Sequence, residues 1–238
     1  MAGPAFTTIL REHAYRRLWI SGFCINTARW MDLVVLGWIA LQITGSPFMV
    51  GLAVFVRSAP MIALGPFAGV VADRLHRGRV LLFTQSLGIA TALALSLLFA
   101  TGHGGYWPLV GLEMLFGVLW ALDFPARRTA LFSLVGAGRV ATAISLETVS
   151  MQLAKMVGPV LAGVGLAKLG PGACFAAMAV LYAGGLCVSV GLGSRIGRVA
   201  HGASVSMRAS LGAGFRAAWQ EPTVRDVLII TVLMNVLL

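Results

Sequence analysis

The sequence has 238 residues, of which 58% are hydrophobic and 11% are charged, and its mean hydropathy is +0.90. Soluble domains carry about 25% charged residues, so this chain lacks the side chains that a water-facing surface needs. The net charge of +10 would suit a nucleic-acid partner, but no nucleic-acid-binding motif accompanies it. We therefore expect a protein that is embedded in a lipid bilayer and does not bind nucleic acid.

Apolar stretches of about 20 residues recur along the chain, and this is the length that an α-helix needs to cross a bilayer. The period-2 alternation typical of a membrane β-barrel is absent from the sequence. The stretches predict an all-α transmembrane fold, with six helices over Leu18–Leu41, Phe48–Ala72, Val80–Thr101, Trp107–Ala126, Val140–Ala167 and Ala173–Gly193. Six helices are compatible with an inverted repeat of three plus three.

The predicted bundle occupies residues 1–193, and a basic loop over residues 194–226 follows it. Helical spacing from Ser206 to Gln220 predicts an amphipathic helix within this loop. The apolar run Val227–Leu238 predicts the start of a seventh membrane helix, but its twelve residues would rise only about 18 Å. We expect from this length that the chain is truncated within its seventh helix.

Basic residues are distributed unevenly among the predicted loops. Fourteen of the 18 lysines and arginines lie in the N-terminal segment, in the loops after the second and fourth helices, and after the sixth helix. The loops on the other side contain only Lys168. Because cytoplasmic loops carry an excess of Lys and Arg, this asymmetry predicts a cytoplasmic N-terminus and a cytoplasmic loop over residues 194–226.

Sequence motifs of enzymes and metal sites are not found. Cys24, Cys174 and Cys187 lie in apolar runs without metal-ligand or disulfide spacing, and the four histidines are isolated along the chain. There is no phosphate-binding glycine loop and no Gly-x-Ser-x-Gly nucleophile motif. We therefore predict a protein that is not an enzyme and has no metal site and no cofactor.

Five short motifs follow one another along the predicted helices. They are Leu41-Gln-Ile-Thr-Gly-Ser-Pro47, Arg57-Ser-Ala-Pro60, Gly65-Pro-Phe-Ala-Gly69-Val-Val-Ala-Asp73-Arg74-Leu-His-Arg77, Asp123-Phe-Pro-Ala-Arg-Arg128 and Gly158-Pro159-Val-Leu-Ala-Gly163. With these motifs the sequence resembles the N-terminal half of a major facilitator superfamily transporter. Within that superfamily it resembles the multidrug and siderophore efflux branch, which includes enterobactin exporters and macrolide efflux proteins. The resemblance implies a bacterial inner-membrane location, a small-molecule substrate, and a missing C-terminal half as partner.

The stretch from Gly65 to Arg77 combines a packing feature with a gating feature. Gly65 and Gly69 have the GxxxG spacing that lets another helix approach closely, and ordinary tight packing is one interpretation of the stretch. Asp73 lies at the end of the second helix, where the helix dipole disfavours a carboxylate, so it should contact an arginine or a helix N-terminus. The resemblance implies that Gly69, Asp73, Arg74 and Arg77 form a cytoplasmic gate motif that contacts the C-terminal half.

The fifth predicted helix contains the pair Gly158 and Pro159. Proline removes one helical hydrogen bond and bends a membrane helix, while small residues around it permit close packing. By the resemblance, such a bend at the interface between the two halves marks exporters, although Ala154 and Ala162 replace two glycines of that signature. A bend that serves only packing is the alternative interpretation.

Ionisable residues within membrane helices each cost about 2.5 to 3.5 kcal/mol at the helix centre, so they often mark functional sites. The six candidates are Arg29, Asp32, Arg57, Glu113, Glu147 and Lys155. Arg29 and Asp32 are three residues apart on one helix and could neutralise each other. The resemblance implies that Arg29, Asp32 and Glu113 line the central cavity as the substrate and proton pathway. It also implies that Arg57 and Lys155 pair structurally near the interface between the halves.

Two acids and one arginine around a wet cavity suit a proton-coupled exporter, because protonation of a carboxylate and binding of a cationic group exclude each other. We therefore predict secondary active, proton-coupled efflux of a small amphiphilic molecule such as a drug or a siderophore. Charge pairs that only fix the register of the helices are one alternative. An inactive half-carrier fragment, or a non-transporting membrane scaffold with the same fold, is the other.

The predicted orientation can be tested with single cysteines in a variant whose three native cysteines are replaced by alanine. An impermeable thiol reagent added outside intact cells should modify Gly104→Cys and leave His201→Cys unmodified, because the basic loops stay in the cytoplasm. Labelling of His201→Cys without labelling of Gly104→Cys would show that the orientation is reversed.

Overall fold

A computed structural model describes residues 9, 11–74, 76–191 and 226, with the side chains of all of these except residues 65–74 and 137. The described helices of the bundle fall within one compact unit of the chain, Met1–Arg198. The predicted amphipathic helix and the predicted start of a seventh helix lie outside the described residues.

The described residues form six helices that are long and apolar enough to cross a membrane. They are α1 (His13–Thr44), α2 (Pro47–Arg74), α3 (Arg77–Ala100), α4 (Tyr106–Val135), α5 (Val140–Lys168) and α6 (Pro171–Ser189). A short 3₁₀ helix, Ala137–Arg139, joins α4 to α5. The prediction of an all-α bundle of six membrane helices is confirmed for this part of the chain.

Several helix ends differ from the predicted boundaries: α1 begins five residues earlier, at His13, and α3 begins three residues earlier, at Arg77. At two further ends, those of α4 and α6, side-chain contacts of arginines explain the difference. Helix α4 continues past Ala126 to Val135 because Arg127 is not a loop residue but is buried and paired with Asp123 one turn earlier. Helix α6 ends at Ser189 and not at Gly193. There the guanidinium of Arg17 donates hydrogen bonds to the carbonyls of Val188 and Val190, which have no partner within the helix.

Short connections join the helices, so consecutive helices run in opposite directions. Gly45 ends α1 with a φ of 62°, and its N–H donates to the carbonyl of Leu41 at 2.8 Å. This left-handed C-cap suits glycine, which has no Cβ to clash with the backbone. Between α5 and α6, Gly170 has a φ of 83° and is followed by Pro171 at the first turn of α6.

The packing of the helices has the symmetry of a three-plus-three repeat. The most extensive interfaces are those of α3 with α6, of α1 with α5, and of α2 with α4. If α1, α2 and α3 are exchanged with α4, α5 and α6, the α1–α5 interface becomes the α4–α2 interface, and the α3–α6 interface maps onto itself. The contacts therefore match the predicted inverted repeat.

A buried polar layer separates two hydrophobic clusters within the bundle. In this layer the Ser189 hydroxyl donates to Ser21 at 2.8 Å, and the amide nitrogen of Gln85 donates to Ser189 at 3.2 Å. Thr84 donates to Asp123 at 3.1 Å, and Asp123 also accepts from the guanidinium of Arg127. The layer joins α1, α3, α4 and α6, because these hydrogen bonds connect side chains on different helices or one turn apart.

Three of the basic segments, all within the described part of the chain, lie at one end of this bundle. Arg17, at the start of α1, contacts the end of α6, and Glu12 forms an ion pair with Arg139 in the α4–α5 connection. Arg77, at the start of α3, donates to the carbonyl of Thr129 near the end of α4. These contacts bring together three of the segments that carry the excess of arginine.

Helices α2 and α5 are the least buried of the six. Each exposes a row of large apolar side chains, of which Ile62 and Met156 have 70% and 69% of their surface accessible. By contrast, α1 is the most buried of the six, and it packs extensively against α5 and α6 and less extensively against α2 and α4. The exposed faces of α2 and α5 must therefore be covered by lipid or by another apolar surface.

Gly158 packs against the backbone of α1 within this bundle, and α5 continues as a helix through Pro159. A Cβ at Gly158 would lie 2.8 Å from the backbone nitrogen of Met31 and 2.8 Å from the carbonyl oxygen of Thr27. Gly158 itself therefore faces α1, which agrees with the interpretation of a bend that serves packing. The placement of the Gly158-Pro159 bend at the interface between the two halves stays a prediction. Gly158 lets α5 approach the backbone of α1 closely, because a side chain at this position would hold the two helices apart.

Replacing Gly158 with alanine should lower the free energy of unfolding by about 1–3 kcal/mol, because the added methyl group forces α1 and α5 apart. Gly163→Ala on the same helix is the matched control, since a Cβ there meets no atom within 4 Å. Unfolding of each variant in mixed micelles by a titration with sodium dodecyl sulfate measures the effect. Equal stability of the two variants would contradict the packing.

Candidate functional site

The centre of the bundle contains one arginine that is shared by two acids. The Nε of Arg57 on α2 donates to Oε2 of Glu113 on α4 at 2.9 Å, and its Nη2 donates to Oδ2 of Asp32 on α1. Asp32 and Glu113 are buried, with 1% and 0% of their surface accessible. The three residues, which we call the central triad, connect α1, α2 and α4.

A glycine brings the backbones of α2 and α4 together beside the triad. Gly117 lies one turn after Glu113 on α4, so both residues are on the same face of the helix. A Cβ at Gly117 would overlap the carbonyl oxygen of Arg57. The absence of a side chain at Gly117 therefore lets Arg57 come within hydrogen-bond distance of Glu113.

The triad corrects two expectations from the sequence. Arg57 does not pair near an interface with the second half but points into the bundle, because both buried acids face it. Asp32 pairs with Arg57 and not with Arg29, although Arg29 lies closer in sequence. A guanidinium from a neighbouring helix competes better here, since it can donate from different nitrogens to Asp32 and Glu113 at the same time.

The charges of the triad do not cancel when both acids are ionised. One guanidinium faces two carboxylates, which leaves one negative charge in a buried place. Asp32 Oδ1 and Glu113 Oε1 have no hydrogen-bond partner among the described residues. One proton on either carboxyl group would make the triad neutral. The protonated group would also gain an O–H, which can donate a hydrogen bond to an oxygen that has no partner.

A cavity of about 220 Å³ lies next to the triad, and Arg57 forms part of its wall. Six of the other side chains that line it are Arg29, Gln85, Phe116, Trp120, Asp123 and Tyr182. Asp32 and Glu113 are not among the lining residues, so the expectation that they line the cavity is wrong. They lie behind Arg57, whose guanidinium separates them from the open space.

Arg29 lines the cavity and stacks on an aromatic ring. Its guanidinium carbon lies 3.4 Å from the centroid of the Trp120 ring. A cation over the face of an indole ring is attracted by the negative charge of the ring face. Opposite these residues, the rings of Phe116 and Tyr182 are stacked with their centroids 5.8 Å apart. The cavity thus combines one stacked cation with an apolar, aromatic wall.

Lys155 lies on the exposed side of α5, with its nitrogen 5.0 Å from the centroid of the Trp30 ring. It does not contact Arg57, and no ion pair of Lys155 is found among the described residues. The expected structural pair of Arg57 and Lys155 is therefore wrong, because both are cations with different partners. Glu147 lies nearer the arginine-rich end, in a small pocket that it shares with Arg127 and Asn26.

The gate motif is described only in part. Gly69, Asp73 and Arg74 lie in the last turns of α2, which continues two residues past the predicted end at Ala72, and their side chains are outside the described ones. Arg77 is buried and donates to the carbonyl of Thr129 at 3.4 Å. In this part of the motif, Arg77 therefore links α3 to α4.

Sequence reasoning did not identify Gln85 and Tyr182 as residues of the site. Both lie in helices that were assigned from their apolar character alone. Gln85 carried a usable signal, because an amide in the middle of an apolar helix must find a partner or line a cavity. Tyr182 carried no such signal, since aromatic residues on membrane helices pack against one another in most positions.

Comparison with known proteins places this arrangement in a family. The profile of the family described as transmembrane secretion effector matches residues 5–236. Over 163 residues, 68% of this chain, the sequence is 27% identical to the staphyloferrin A transporter of Staphylococcus aureus (strain NCTC 8325 / PS 47), covering 41% of that protein. Over 131 residues, 55% of this chain, it is 28% identical to the uncharacterized MFS-type transporter YfiS of Bacillus subtilis (strain 168), covering 30% of that protein.

The matched regions span less than half the length of either relative. The profile, in contrast, covers nearly the whole of this chain, including all six described helices. Six membrane-length helices with the packing of an inverted repeat are the architecture that the resemblance predicted. The chain is an integral, multi-pass membrane protein and belongs to the transmembrane secretion effector family of the major facilitator superfamily.

Proposed function

We propose that this chain forms one half of a secondary active transporter that uses the proton gradient to export a small amphiphilic molecule. The observation that carries the proposal is the central triad, in which Arg57 on the cavity wall is shared by the buried acids Asp32 and Glu113. Buried ionisable groups in a membrane protein are expensive, and such groups mark proton and substrate pathways.

Arg57 links the proton site to the substrate cavity. A proton on Asp32 or Glu113 removes the charge that holds one side of the guanidinium, so Arg57 keeps one strong contact instead of two. Because the same guanidinium forms part of the cavity wall, its change of position alters the space and charge that a substrate meets. In this mechanism Asp32 and Glu113 bind the proton, Arg57 transmits its presence, and Arg29 contacts the substrate.

The second half of the transporter would cover the exposed faces of α2 and α5. These two helices are the least buried of the six and carry many of the large accessible apolar side chains, and Lys155 on α5 is exposed at the depth of the membrane. Secondary transporters of this type work by rocking two bundles around a site at their interface. We propose a second six-helix bundle as the partner, with the segment over residues 194–226 as the connection on the cytoplasmic side.

Export from the bacterial cytoplasm is the direction that we propose, on the resemblance of the Gly158-Pro159 segment to the exporter signature. The substrate class is supported by the relative in Staphylococcus aureus, whose name states that it transports staphyloferrin A. A siderophore or a drug-like molecule of amphiphilic character also fits the aromatic wall of the cavity. The gate motif Gly69, Asp73, Arg74 and Arg77 would close the cytoplasmic side against the second half.

Asp32→Asn tests the proton site in a carrier that joins this chain to its C-terminal half. The substitution should abolish export driven by a proton gradient and leave the amount of protein in the membrane unchanged, since it removes the proton site and also an insertion cost. Proteoliposomes with an imposed pH gradient provide the measurement. Glu12→Gln, an acid-to-amide change in an ion pair at the end of the bundle, should transport normally. Transport with unchanged pH dependence in Asp32→Asn would exclude Asp32 as the proton site and would make Glu113 the next candidate.

The 238-residue chain without a second half should not transport. Alternating access needs two bundles, and α2 and α5 would be left without their partner. The chain purified and reconstituted in liposomes should show no substrate movement under a pH gradient, whereas liposomes with both halves should. Transport by the chain alone would contradict the two-half mechanism. Absence of transport from the two-half protein as well would favour a non-transporting scaffold.

A further inference from the structure

The charged side chains that line the cavity are not balanced. Arg57 is occupied by Asp32 and Glu113, which do not line the cavity themselves. Asp123 does line it, but both of its carboxylate oxygens are taken, one by Thr84 and both by the guanidinium of Arg127. What remains is Arg29, which stacks on an aromatic ring. Asp32 attracts it electrostatically, but among the described residues no carboxylate forms an ion pair with it, because the nearer partner of Asp32 is Arg57.

A stacked arginine whose N–H groups have no acceptor among the described residues is suited to bind an anion. The Trp120 ring holds one face of the guanidinium, and the N–H groups at its edge remain free of hydrogen bonds to the described side chains and backbone. Guanidinium edges match the geometry of carboxylate groups and can donate two parallel hydrogen bonds to them. An anion at this place would also lower the cost of a cation in the membrane interior.

A second unsatisfied group in the same cavity points to a ligand. The oxygen Oε1 of Gln85 is buried and has no hydrogen-bond partner among the described residues, while its amide nitrogen is held by Ser21 and Ser189. This oxygen can accept a hydrogen bond from a donor that enters the cavity. The stacked rings of Phe116 and Tyr182 line the same cavity as Arg29 and Gln85.

We infer that the ligand of this cavity is a small organic anion, with an apolar or aromatic body and a carboxylate that binds Arg29. The inference rests on the proposed function and specifies its substrate class. A volume of about 220 Å³ is too small for a two-chain phospholipid, so a soluble amphiphile is the occupant. Export of an anion is also favoured by the inside-negative potential of a bacterial membrane.

Three probes with the same body test the inference: 2-naphthoate, 2-naphthalenemethanol and 2-naphthylmethylammonium, which are an anion, a neutral molecule and a cation. Their binding to the chain in phosphatidylcholine nanodiscs is measured by equilibrium dialysis, with empty nanodiscs subtracted. The anion should bind at least tenfold more tightly than the neutral probe, because it gains a charged hydrogen-bond pair in a desolvated place. The cation should bind most weakly of the three.

Arg29→Gln should remove the preference for the anion and leave the affinity for the neutral probe within about twofold, which also shows that the cavity is intact. Arg29→Lys should keep part of the preference, because the charge remains but the planar edge is lost. Arg128→Gln is the matched control, since Arg128 is exposed and does not line the cavity. It should behave like the unchanged chain.

Equal affinity for the three probes, tightest binding of the cation, or an anion preference that survives in Arg29→Gln would overturn the inference and leave the proposed transport function standing. Failure of all three probes to bind the unchanged chain is a different result. It would show that the cavity is not a ligand site, and it would overturn both the inference and the proposed substrate pathway.

Discussion

The buried contact of Arg57 with Asp32 and Glu113 is the interaction on which the rest of the site depends. Three charges in the membrane interior are tolerated only if they neutralise one another in good geometry. That requirement fixes the relative depth of α1, α2 and α4, and it needs Gly117 to bring the backbones of α2 and α4 together. The same arrangement leaves one negative charge uncompensated when both acids are ionised, and the proposed proton site depends on this charge.

Three other features of the bundle surround the triad: the polar layer, the cavity, and the exposed faces of α2 and α5. The polar layer of Ser21, Gln85 and Ser189 joins α1, α3 and α6 below the cavity, where the arginine-rich end begins. The cavity adjoins this layer, since Gln85 also lines it, and its other lining residues come from α1, α2, α3, α4 and α6. The accessible apolar faces of α2 and α5 remain for a second bundle. The six-helix unit thus contains the polar layer, the cavity beside the central triad, and the accessible apolar faces of α2 and α5 to which the proposed second bundle would bind.

Much of the fold could be predicted from the sequence. A hydrophobic stretch of membrane length must satisfy its backbone hydrogen bonds within lipid, and without the alternation of a β-barrel it can do so only as an α-helix. The helix ends were less predictable, since Arg127 resembled a loop residue until its partner Asp123 was known. The candidate residues Arg29, Asp32, Arg57 and Glu113 were found by their cost in a membrane. The partners of these residues could not be predicted, because pairing depends on how each helix is rotated about its axis. That rotation is set by the close approach of Gly117 and Gly158 to the backbones of neighbouring helices.

The stability of neutralised variants tests the shared arginine most directly. Arg57→Gln leaves two unpaired acids and should lower the free energy of unfolding by about 3–5 kcal/mol, whereas the triple variant with Asp32→Asn and Glu113→Gln should recover most of that loss. Titration with sodium dodecyl sulfate in mixed micelles measures both. If Arg57→Gln is no less stable than the exposed-site variant Arg128→Gln, and the triple variant shows no recovery, the three charges do not form one buried unit.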